Sequence, residues 1–253
     1  MRIVAIIPAR YKSSRFEGKP LADIHGMPMI WWVYQQVKKA KGLDEVYVAT
    51  DDELIKAVCN DFGMRVIMTS SNHATGTDRL AEVAKKISAD YYVNIQGDEP
   101  LIEPENINLI VDFFKSYPEI DLVNTMSFID SEEDVLRNTV VKVVTDPRDN
   151  CLYLSRAPIP MSKNGLVKNY YKHLGLYGLK KDILLKFGEF SQSKNELIED
   201  IEMLRFLDNG FKIKMLKVKS KSVAVDRPED IHKVEMIMNL GSKEFLKLNI
   251  GGQ

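Results

Sequence analysis

Residues 3–20 read IVAIIPARYKSSRFEGKP, an apolar run followed at once by a loop rich in cations. The consecutive apolar residues 3–7 are typical of a strand buried on both faces, as strands of parallel sheets are. Comparable runs recur along the chain, and segments with helical periodicity separate them. This alternation predicts an α/β fold with a mostly parallel, twisted sheet and helices on both faces. The predicted strands cover residues 3–7, 45–50, 65–69, 91–96 and 122–126, and the predicted helices follow Pro28, Asp52, Thr77 and Pro104.

The pattern changes after residue 127, where strand-like runs follow one another without long helices. Short strands in direct succession predict a smaller lobe with antiparallel pairing. An apolar stripe at helical spacing then predicts a helix over 198–207. Because neither a repeat nor a flexible linker marks a boundary, we expect one domain over 1–253 with the lobe inserted at about 122–190. The remaining predicted elements are strands at 140–145, 152–155, 171–179, 213–218 and 223–225 and a last helix at about 228–240.

The composition is that of an ordinary folded protein, with 253 residues, 45% of them hydrophobic and 28% charged, and a formal net charge of −1. This balance disfavours disorder, and the charge disfavours a surface built as a whole to attract nucleic acid. Cys59 and Cys151 lack metal-ligand spacing, and we interpret them as buried thiols in a reducing compartment. The sequence also contains no apolar run of about eighteen residues. We therefore expect a cytoplasmic protein with no nucleic-acid partner and no membrane insertion.

The loop after the first predicted strand concentrates positive charge. In open α/β sheets the ligand crevice lies beyond the carboxyl ends of the strands, so this loop faces it. Cations packed this closely repel one another unless an anion joins them, and a polyphosphate is the natural candidate; a solvated basic loop is the alternative. The loop matches neither G-x-G-x-x-G nor G-x-x-x-x-G-K-[ST], which argues against a dinucleotide site or a P-loop. The cations are Arg10, Lys12, Arg15 and Lys19, and Ser13, Ser14 and Gly18 add hydroxyl and N–H donors.

Eight short blocks of the sequence match a known pattern in the same order: residues 7–15, 18–21, 48–52, 76–79, 94–100, 153–160, 173–177 and 225–230. In these blocks the chain resembles the CMP-Kdo synthetases, the 3-deoxy-manno-octulosonate (Kdo) cytidylyltransferases, over nearly its whole length. The resemblance implies a Rossmann-like nucleotidyltransferase that uses CTP, an acidic 2-keto sugar and Mg²⁺ to make a CMP-sugar and pyrophosphate. It also implies a homodimer, with the smaller lobe as the dimerisation interface.

Two carboxylates, Asp98 and Asp226, follow predicted strands and are therefore expected at the crevice. One or two carboxylates plus substrate phosphates form a common Mg²⁺ site, whereas capping of a helix N-terminus is the competing role for each acid. The residues alone leave both roles open, and the resemblance favours metal ligands. It assigns catalysis to Arg10, Lys19, Asp98 and Asp226. The nucleotide contacts that it implies are Ala9, Arg10, Ser13, Ser14, Arg15, Lys19, Thr50, Gly76, Arg79 and Gln96.

Other acids near these blocks have structural interpretations. Asp52 ends a strand and precedes a helix, so we expect it to cap the helix that begins near Glu53. Asp78 is expected to brace Arg79, which the resemblance makes a direct nucleotide contact.

The resemblance places the sugar end of the site at Arg156, His173, Tyr177 and Glu202. A keto-acid sugar carries a carboxylate and several hydroxyls, which suit a guanidinium and mixed hydrogen-bonding groups. Without the matching blocks, His173 would be taken as a half-buried structural imidazole and Glu202 as part of a solvated helix face. His173 and Tyr177 lie at even spacing on one predicted strand and so share a face. Met203 stands where the family usually has Gln, so the expected substrate is Kdo or a close relative such as 8-amino-Kdo.

Two other functions stay open on the sequence alone. A cytidylyltransferase for another acidic sugar, of the sialic-acid type, shares the chemistry, but its first loop is normally spaced differently and richer in glycine. A non-catalytic polyanion-binding module explains the basic loop. It does not explain two carboxylates at the same sheet edge, because they repel phosphate unless a metal ion is present.

Overall fold

The structure, a computed structural model, describes residues 1–13, 15–220 and 222–250, with side chains as far as residue 240. Within that part of the chain, no helix combines the length and the apolar character needed to cross a bilayer. The strands are β1 (Ile3–Ala9), β2 (Asp23–Ile24), β3 (Met27–Pro28), β4 (Glu45–Thr50), β5 (Val66–Met68), β6 (Tyr91–Asn94), β7 (Leu122–Phe128), β8 (Lys142–Thr145), β9 (Cys151–Ser155), β10 (Met161–Ser162), β11 (Gly165–Leu166), β12 (Tyr171–Lys180) and β13 (Lys214–Lys217). The helices are α1 (Met29–Lys39), α2 (Glu53–Asp61), α3 (Gly76–Lys86), α4 (Pro104–Ser116), α5 (Glu132–Leu136), α6 (Lys181–Phe187), α7 (Lys194–Glu199), α8 (Met203–Asp208) and α9 (Pro228–Ile250), with a 3-10 turn at Lys19–Leu21.

The main sheet has the strand order β13-β7-β12-β6-β1-β4-β5. Four of its pairings are parallel: β1 with β4, β1 with β6, β4 with β5 and β13 with β7. Strand β12 is antiparallel to both of its neighbours, β6 and β7. The predicted mostly parallel α/β fold is therefore confirmed, with an antiparallel strand inserted in the middle of the sheet.

Helices cover both faces of the sheet, and alternate residues of β1 therefore pack into two different cores. Val4 and Ile6 belong to one core cluster, together with apolar residues of α3, α6 and α8. Ile3, Ala5 and Ile7 belong to the other, together with apolar residues of α1, α2 and α4. Each of these β1 side chains is at most 1% exposed. Burial on both faces explains why β1 is apolar throughout, and it leaves the strand ends to carry polar groups.

The single helix predicted over 198–207 is wrong. The structure has two short helices there, α7 and α8, separated by residues 200–202. Asp200 has a φ of 53°, a left-handed conformation that ends α7. Ile198 is 69% exposed whereas Leu204 is fully buried, so the predicted apolar stripe does not form one face. The break directs the Glu202 carboxylate to the first turn of α3, a long-range contact that periodicity does not reveal.

Two further expectations differ from the structure. Residues 223–225 form no strand, and the Val225 N–H instead donates to the carbonyl of Asp98 at 2.9 Å. The region 122–190, expected as an inserted lobe, contains β7 and β12, which are strands of the main sheet. Between these two strands lie α5 and β8–β11, where β8 pairs with β12, β9 pairs with β8, and β10–β11 form a separate pair.

The two cysteines are buried and free, as predicted. Burial raises the pKa of both the Cys59 and the Cys151 thiol to about 12. Neither thiol therefore ionises near neutral pH, and both act as apolar core groups.

Candidate active site

The cationic loop after β1 is closed on itself at Gly18. The Gly18 N–H donates to the Tyr11 carbonyl at 2.8 Å, and Gly18 has a φ of 70°, which glycine adopts without strain. The Tyr11 ring lies 3.3 Å from the point that a Cβ at residue 18 would occupy. Lys19 follows directly and begins the 3-10 turn, so this closure sets where its ammonium lies.

Lys19 contacts both expected metal ligands. Its Nζ lies 2.6 Å from Asp98 Oδ2 and 4.0 Å from Asp226 Oδ1, and Arg15 Nη2 lies 3.4 Å from the same Asp226 oxygen. The hydrogen bond from Val225 N–H to the Asp98 carbonyl holds the two acidic segments side by side. Loop cations and distant carboxylates therefore meet at one edge of the sheet, as the electrostatic argument requires.

The carboxylates of Asp98 and Asp226 suit a magnesium ion whose set of ligands the substrate completes. Their side chains remain 24% and 42% exposed, so both are accessible from the crevice. Among the described residues, no group of three or more His, Cys, Asp or Glu side chains is arranged to hold a metal. Two converging carboxylates fit Mg²⁺ well, because this ion commonly takes its other oxygens from water and phosphate.

A cleft of about 340 Å³ opens beside Lys19 and Asp98. It contains most of the residues expected to bind nucleotide, together with Glu202, which was expected at the sugar end. Arg15 contacts Asp226 at the acidic edge of the cleft. Ser14 lies outside the described residues. The lining residues are Pro8, Ala9, Arg10, Lys12, Ser13, Lys19, Pro20, Gly76, Gln96, Gly97, Asp98 and Glu202.

Arg79 and Thr50 are buried away from this cleft. The Arg79 side chain is fully buried, lies 3.2 Å from Asp51 Oδ1 and donates to the Thr69 hydroxyl. Burial lowers the pKa of Arg79 most, Asp51 opposes this, and the nearby Arg10 lowers it further. Thr50 is also fully buried, with its carbonyl accepting from the Thr69 N–H at 2.8 Å. In this structure Arg79 is thus not among the described residues that line the cleft.

Arg10 is the guanidinium that reaches the cleft. Its Nη2 atom is buried and has no hydrogen-bond partner among the described residues. Buried polar groups normally find partners, and an unused donor at a cleft wall marks a place for an acceptor. Arg10 as a residue also lines the cleft, as expected of a nucleotide contact.

Asp52 and Asp78 have different partners from each other. Asp52 caps α2 by accepting from the Leu54 and Ile55 N–H groups at 2.9 and 3.1 Å, which confirms the predicted cap. Asp78 forms a capping box with Thr75 at the start of α3. The expectation that Asp78 braces Arg79 is wrong, because its Oδ1 instead pairs with Arg205 Nη1 at 2.7 Å.

A smaller pocket of about 140 Å³ adjoins the cleft and contains His173, Tyr177 and Glu202. Strand β12 has a register shift between His173 and Tyr177, which pair with Met126 and Asn124 of β7. Four positions of β12 thus lie opposite two of β7, and this even difference keeps both side chains on one face. Gln96 and Glu202 line both cavities and form the boundary between them. The other lining residues are Val141, Gly175, Asp200, Ile201 and Met203.

Tyr177, Thr77 and Glu202 form a chain of hydrogen bonds in the pocket wall. Tyr177 Oη lies 2.6 Å from the Thr77 hydroxyl, which in turn contacts the Glu202 carboxylate. Burial, with the Glu202 charge adding to it, raises the pKa of Tyr177 well above its usual value. Burial lowers the pKa of His173 to about 4, and its Nε2 atom is buried with no partner among the described residues. Near neutral pH the pocket therefore presents a neutral phenol and a neutral imidazole.

Arg156 lies outside the described lining of this pocket, contrary to its expected place at the sugar. Its Nε donates to the Glu199 carbonyl at 2.5 Å, its Nη1 to Asn138 at 3.1 Å and its Nη2 to Asp200 at 2.9 Å. These carbonyls include the C-terminal end of α7, which attracts cations. In this arrangement Arg156 fixes the turn at Asp200.

Thr77 and Gly175 are site residues that the sequence does not single out. Thr77 stands in the matched block 76–79, where the pattern indicates only the start of a helix, yet it contacts both Tyr177 and Glu202. Gly175 accepts from Asn94 Nδ2 at 2.9 Å, and a Cβ there would lie 2.3 Å from Gln96 Cγ. A glycine inside a predicted strand signals such a close approach.

Comparison with known proteins places this site in a family. The sequence profile of a family described as Cytidylyltransferase matches residues 4–216. A 3-deoxy-manno-octulosonate cytidylyltransferase of Geobacter metallireducens is 46% identical over 245 residues, covering 92% of this chain and 96% of its own. The chain belongs to the 3-deoxy-manno-octulosonate cytidylyltransferase family. A member of that family from Escherichia coli is 39% identical over 237 residues, covering 94% of this chain and 96% of its own.

Solved structures agree with membership of the cytidylyltransferase family. The structure of CMP:2-keto-3-deoxy-manno-octonic acid synthetase complexed with CTP superposes with a TM-score of 0.91 at 38% identity, over 95% of this chain and 100% of that one. A putative glucose-1-phosphate thymidylyltransferase from Bacillus anthracis superposes at 0.68 with 14% identity, over 93% of this chain and 94% of that one. At 14% identity, the similarity to the thymidylyltransferase shows only that the two folds are alike.

Proposed function

We propose that this protein transfers the cytidylyl group of CTP to an acidic 2-keto sugar, Kdo or a close relative, and releases pyrophosphate. The observation that carries the proposal is the meeting of Lys19 with Asp98 and Asp226 beside a cleft that adjoins a smaller pocket. Two adjoining cavities suit a triphosphate and a sugar that must react with each other. Family membership supplies the reaction class, and the named relatives supply the two substrates.

The loop after β1 receives the nucleotide in this proposal. Arg10, Arg15 and Lys19 neutralise the phosphates, and Arg10 and Lys19 line the cleft that receives them. Asp98 and Asp226 would hold Mg²⁺, which when bound supplies a charge that stabilises the departing pyrophosphate and lowers the pKa of the attacking sugar hydroxyl. Preorganised charges of this kind supply most of the rate enhancement in group transfers of phosphoryl type.

The boundary between the cavities orients the sugar. Gln96 and Glu202 line both cavities, so a sugar in the smaller pocket meets the nucleotide cleft at these two side chains. The neutral His173 and Tyr177 offer hydrogen bonds to sugar hydroxyls without adding charge. Holding an oxygen nucleophile in line with a leaving group removes much of the entropic barrier.

A pyrophosphate-release assay tests the proposal. Purified protein with Mg²⁺ is given each nucleoside triphosphate together with Kdo, 8-amino-Kdo or N-acetylneuraminic acid. We expect pyrophosphate only with CTP plus a Kdo-type acid. Faster release with the sialic acid would favour the rival acidic-sugar reaction. Absence of release with every pair, together with tight RNA binding, would favour the polyanion-binding module.

We propose in addition that Met203 adapts the pocket to a sugar whose tail differs from that of Kdo. Met203 is 1% exposed and lines the sugar pocket, and it offers no amide hydrogen bond. We expect a higher kcat/KM for 8-amino-Kdo than for Kdo, and Met203→Gln should shift the ratio towards Kdo. A clear preference of the unmodified protein for plain Kdo would rule this idea out.

We also propose a homodimer formed through the segment between β7 and β12. Within the part of the chain described with side chains, this segment and its edges expose large apolar side chains. Leu136, Leu152 and Met161 are about 60% exposed, and Phe128 is 42% exposed. Exposed apolar groups in one region favour an interface.

A further inference from the structure

Two carboxylates join helices α3 and α8. One, beside the start of α8, contacts α3, and the other, on α3, contacts α8. Glu202, just before α8, accepts from the Gly76 and Thr77 N–H groups at 3.2 and 2.9 Å, at the first turn of α3. Asp78 of α3 pairs in return with Arg205 of α8 at 2.7 Å. A carboxylate at a helix N-terminus is stabilised by unpaired N–H groups and the helix dipole. The two helices thus hold each other at their first turns.

Arg205 is the cation at the centre of this arrangement. Besides Asp78, its Nε and Nη2 donate to the Glu196 carboxylate at 2.7 and 2.6 Å, and its guanidinium lies 3.9 Å from the centre of the Phe187 ring. The Arg205 and Glu196 side chains are only 2% and 3% exposed. Buried ion pairs of this kind often add little net stability over apolar groups of the same size. Their value lies in fixing one geometry, which here is that of α8 relative to α3 and α7.

Arg205 is not among the described residues that line the nucleotide cleft or the sugar pocket. It lies one helical turn after Glu202, which lines both cavities, and two residues after Met203, which lines the pocket. If α8 rotates, Glu202 leaves the Gly76 and Thr77 amides, and the wall between the two cavities moves. The cations for the triphosphate come instead from the loop after β1.

We propose that Arg205 is a positioning residue that holds Glu202 on the first turn of α3 and so sets the geometry of the sugar pocket. The kinetic part of this inference rests on the proposed function. Loss of the guanidinium fork raises the KM for the sugar and lowers kcat, whereas the KM for CTP changes much less because the loop cations proposed to hold the triphosphate stay in place. The effect passes through Glu202.

The test compares Arg205→Lys, Arg205→Met and Glu196→Gln with the control Phe206→Leu. Lysine keeps the charge without the fork, and Phe206 is a buried residue of the same helix outside both cavities. Circular dichroism and thermal melting identify the variants that fold. We expect Arg205→Lys to raise the sugar KM about tenfold and the CTP KM less than about twofold, with a smaller change for Glu196→Gln. Phe206→Leu should lower the melting temperature and leave both KM values unchanged.

A double-mutant cycle separates positioning from a general loss of packing. In the Glu202→Gln background, Arg205→Lys should change the sugar KM by less than about twofold, because the group that Arg205 positions is already altered. Additive effects of the two substitutions, an unchanged sugar KM in Arg205→Lys, or an equal rise in Phe206→Leu would each overturn the proposal.

Hydrogen exchange gives a readout that needs no turnover. The amides of residues 76 and 77 should exchange faster in Arg205→Lys than in the unmodified protein or in Phe206→Leu. An unmodified protein that releases no pyrophosphate would refute the proposed function and leave this exchange test standing. An active protein in which Arg205→Lys changes neither exchange nor sugar KM would refute the positioning role alone.

Discussion

The ammonium of Lys19 stands between two carboxylates that would repel each other and any phosphate without a cation. Asp98 and Asp226 come from segments more than a hundred residues apart, and the Val225 to Asp98 backbone hydrogen bond brings them together. A partly exposed ion pair of this kind contributes little to folding, about 1 kcal/mol at most. The ion pairs alone therefore give little reason, in stability, for two acids at this edge of the cleft, and the metal role that we propose for them is tested by substitution.

Asp98→Asn and Asp226→Asn should each lower kcat by about a hundredfold or more, because each removes a carboxylate proposed to hold the Mg²⁺ whose charge would stabilise the transferring group. Steady-state kinetics with CTP and Kdo measure this, and thermal melting should show little change. Asp23→Asn, at an exposed strand end, is the matched control and should keep normal kinetics. Turnover at the unmodified rate in either variant would contradict the metal assignment.

His173 gives the protein a predictable response to acid. Burial lowers its pKa from 6.5 to about 4, so between these values the unfolded chain binds a proton that the folded protein does not. The free energy of unfolding should therefore fall as pH drops from about 6.5 to about 4, by up to about 3 kcal/mol from this group, with no contribution above pH 6.5.

Denaturant unfolding at pH 7 and pH 4.5 measures this contribution of His173. The His173→Gln variant should lose less stability between these two values than the unmodified protein, because glutamine does not titrate. Equal losses in both proteins would show that His173 is not held neutral by its surroundings.

At the scale of elements, the turn at Gly18 connects β1 to Lys19. Gly18 and Gly26 both have left-handed backbones, with φ of 70° and 81°, but only Gly18 meets another side chain. Alanine should cost about 1 kcal/mol at either position, because the left-handed conformation is strained for it. Only Gly18→Ala should also raise the KM for CTP, since it presses on Tyr11 and shifts the loop. Denaturation and CTP kinetics for the pair measure both effects, and an equal KM change in Gly26→Ala would speak against the loop argument.

Several elements were predictable from the sequence because local signals decide them. The two-sided apolar composition of β1 and β4, and the Asp52 cap, follow from burial and capping within a few residues. The break between α7 and α8 was not predictable, because it depends on Glu202 reaching amides 125 residues away in the sequence. The same holds for Arg156, whose donors are taken by carbonyls of Glu199 and Asp200. Long-range partners, which periodicity does not report, decide these positions.

At the scale of the whole molecule, the segment between β7 and β12 decides the oligomeric state that we propose. Sedimentation of the unmodified protein should give twice the mass of one chain. A Leu152→Lys, Met161→Lys double variant should sediment as a monomer, because charges there oppose burial of an apolar surface. Leu197→Lys, at a side chain that is 63% exposed outside this segment, should stay dimeric. A monomeric unmodified protein at micromolar concentration would refute the interface.

The place of β12 between β6 and β7 also matters for how the chain is made. Strands β6 and β7 are complete by residue 128, yet the strand that pairs with both ends at residue 180. During synthesis the ribosome therefore releases two strands with open edges before their shared neighbour exists, and open edges are where nascent chains associate wrongly. Arrested chains of increasing length should become resistant to protease only once residue 180 has emerged. A chaperone that shields those edges would then raise the yield of folded protein without altering the finished molecule.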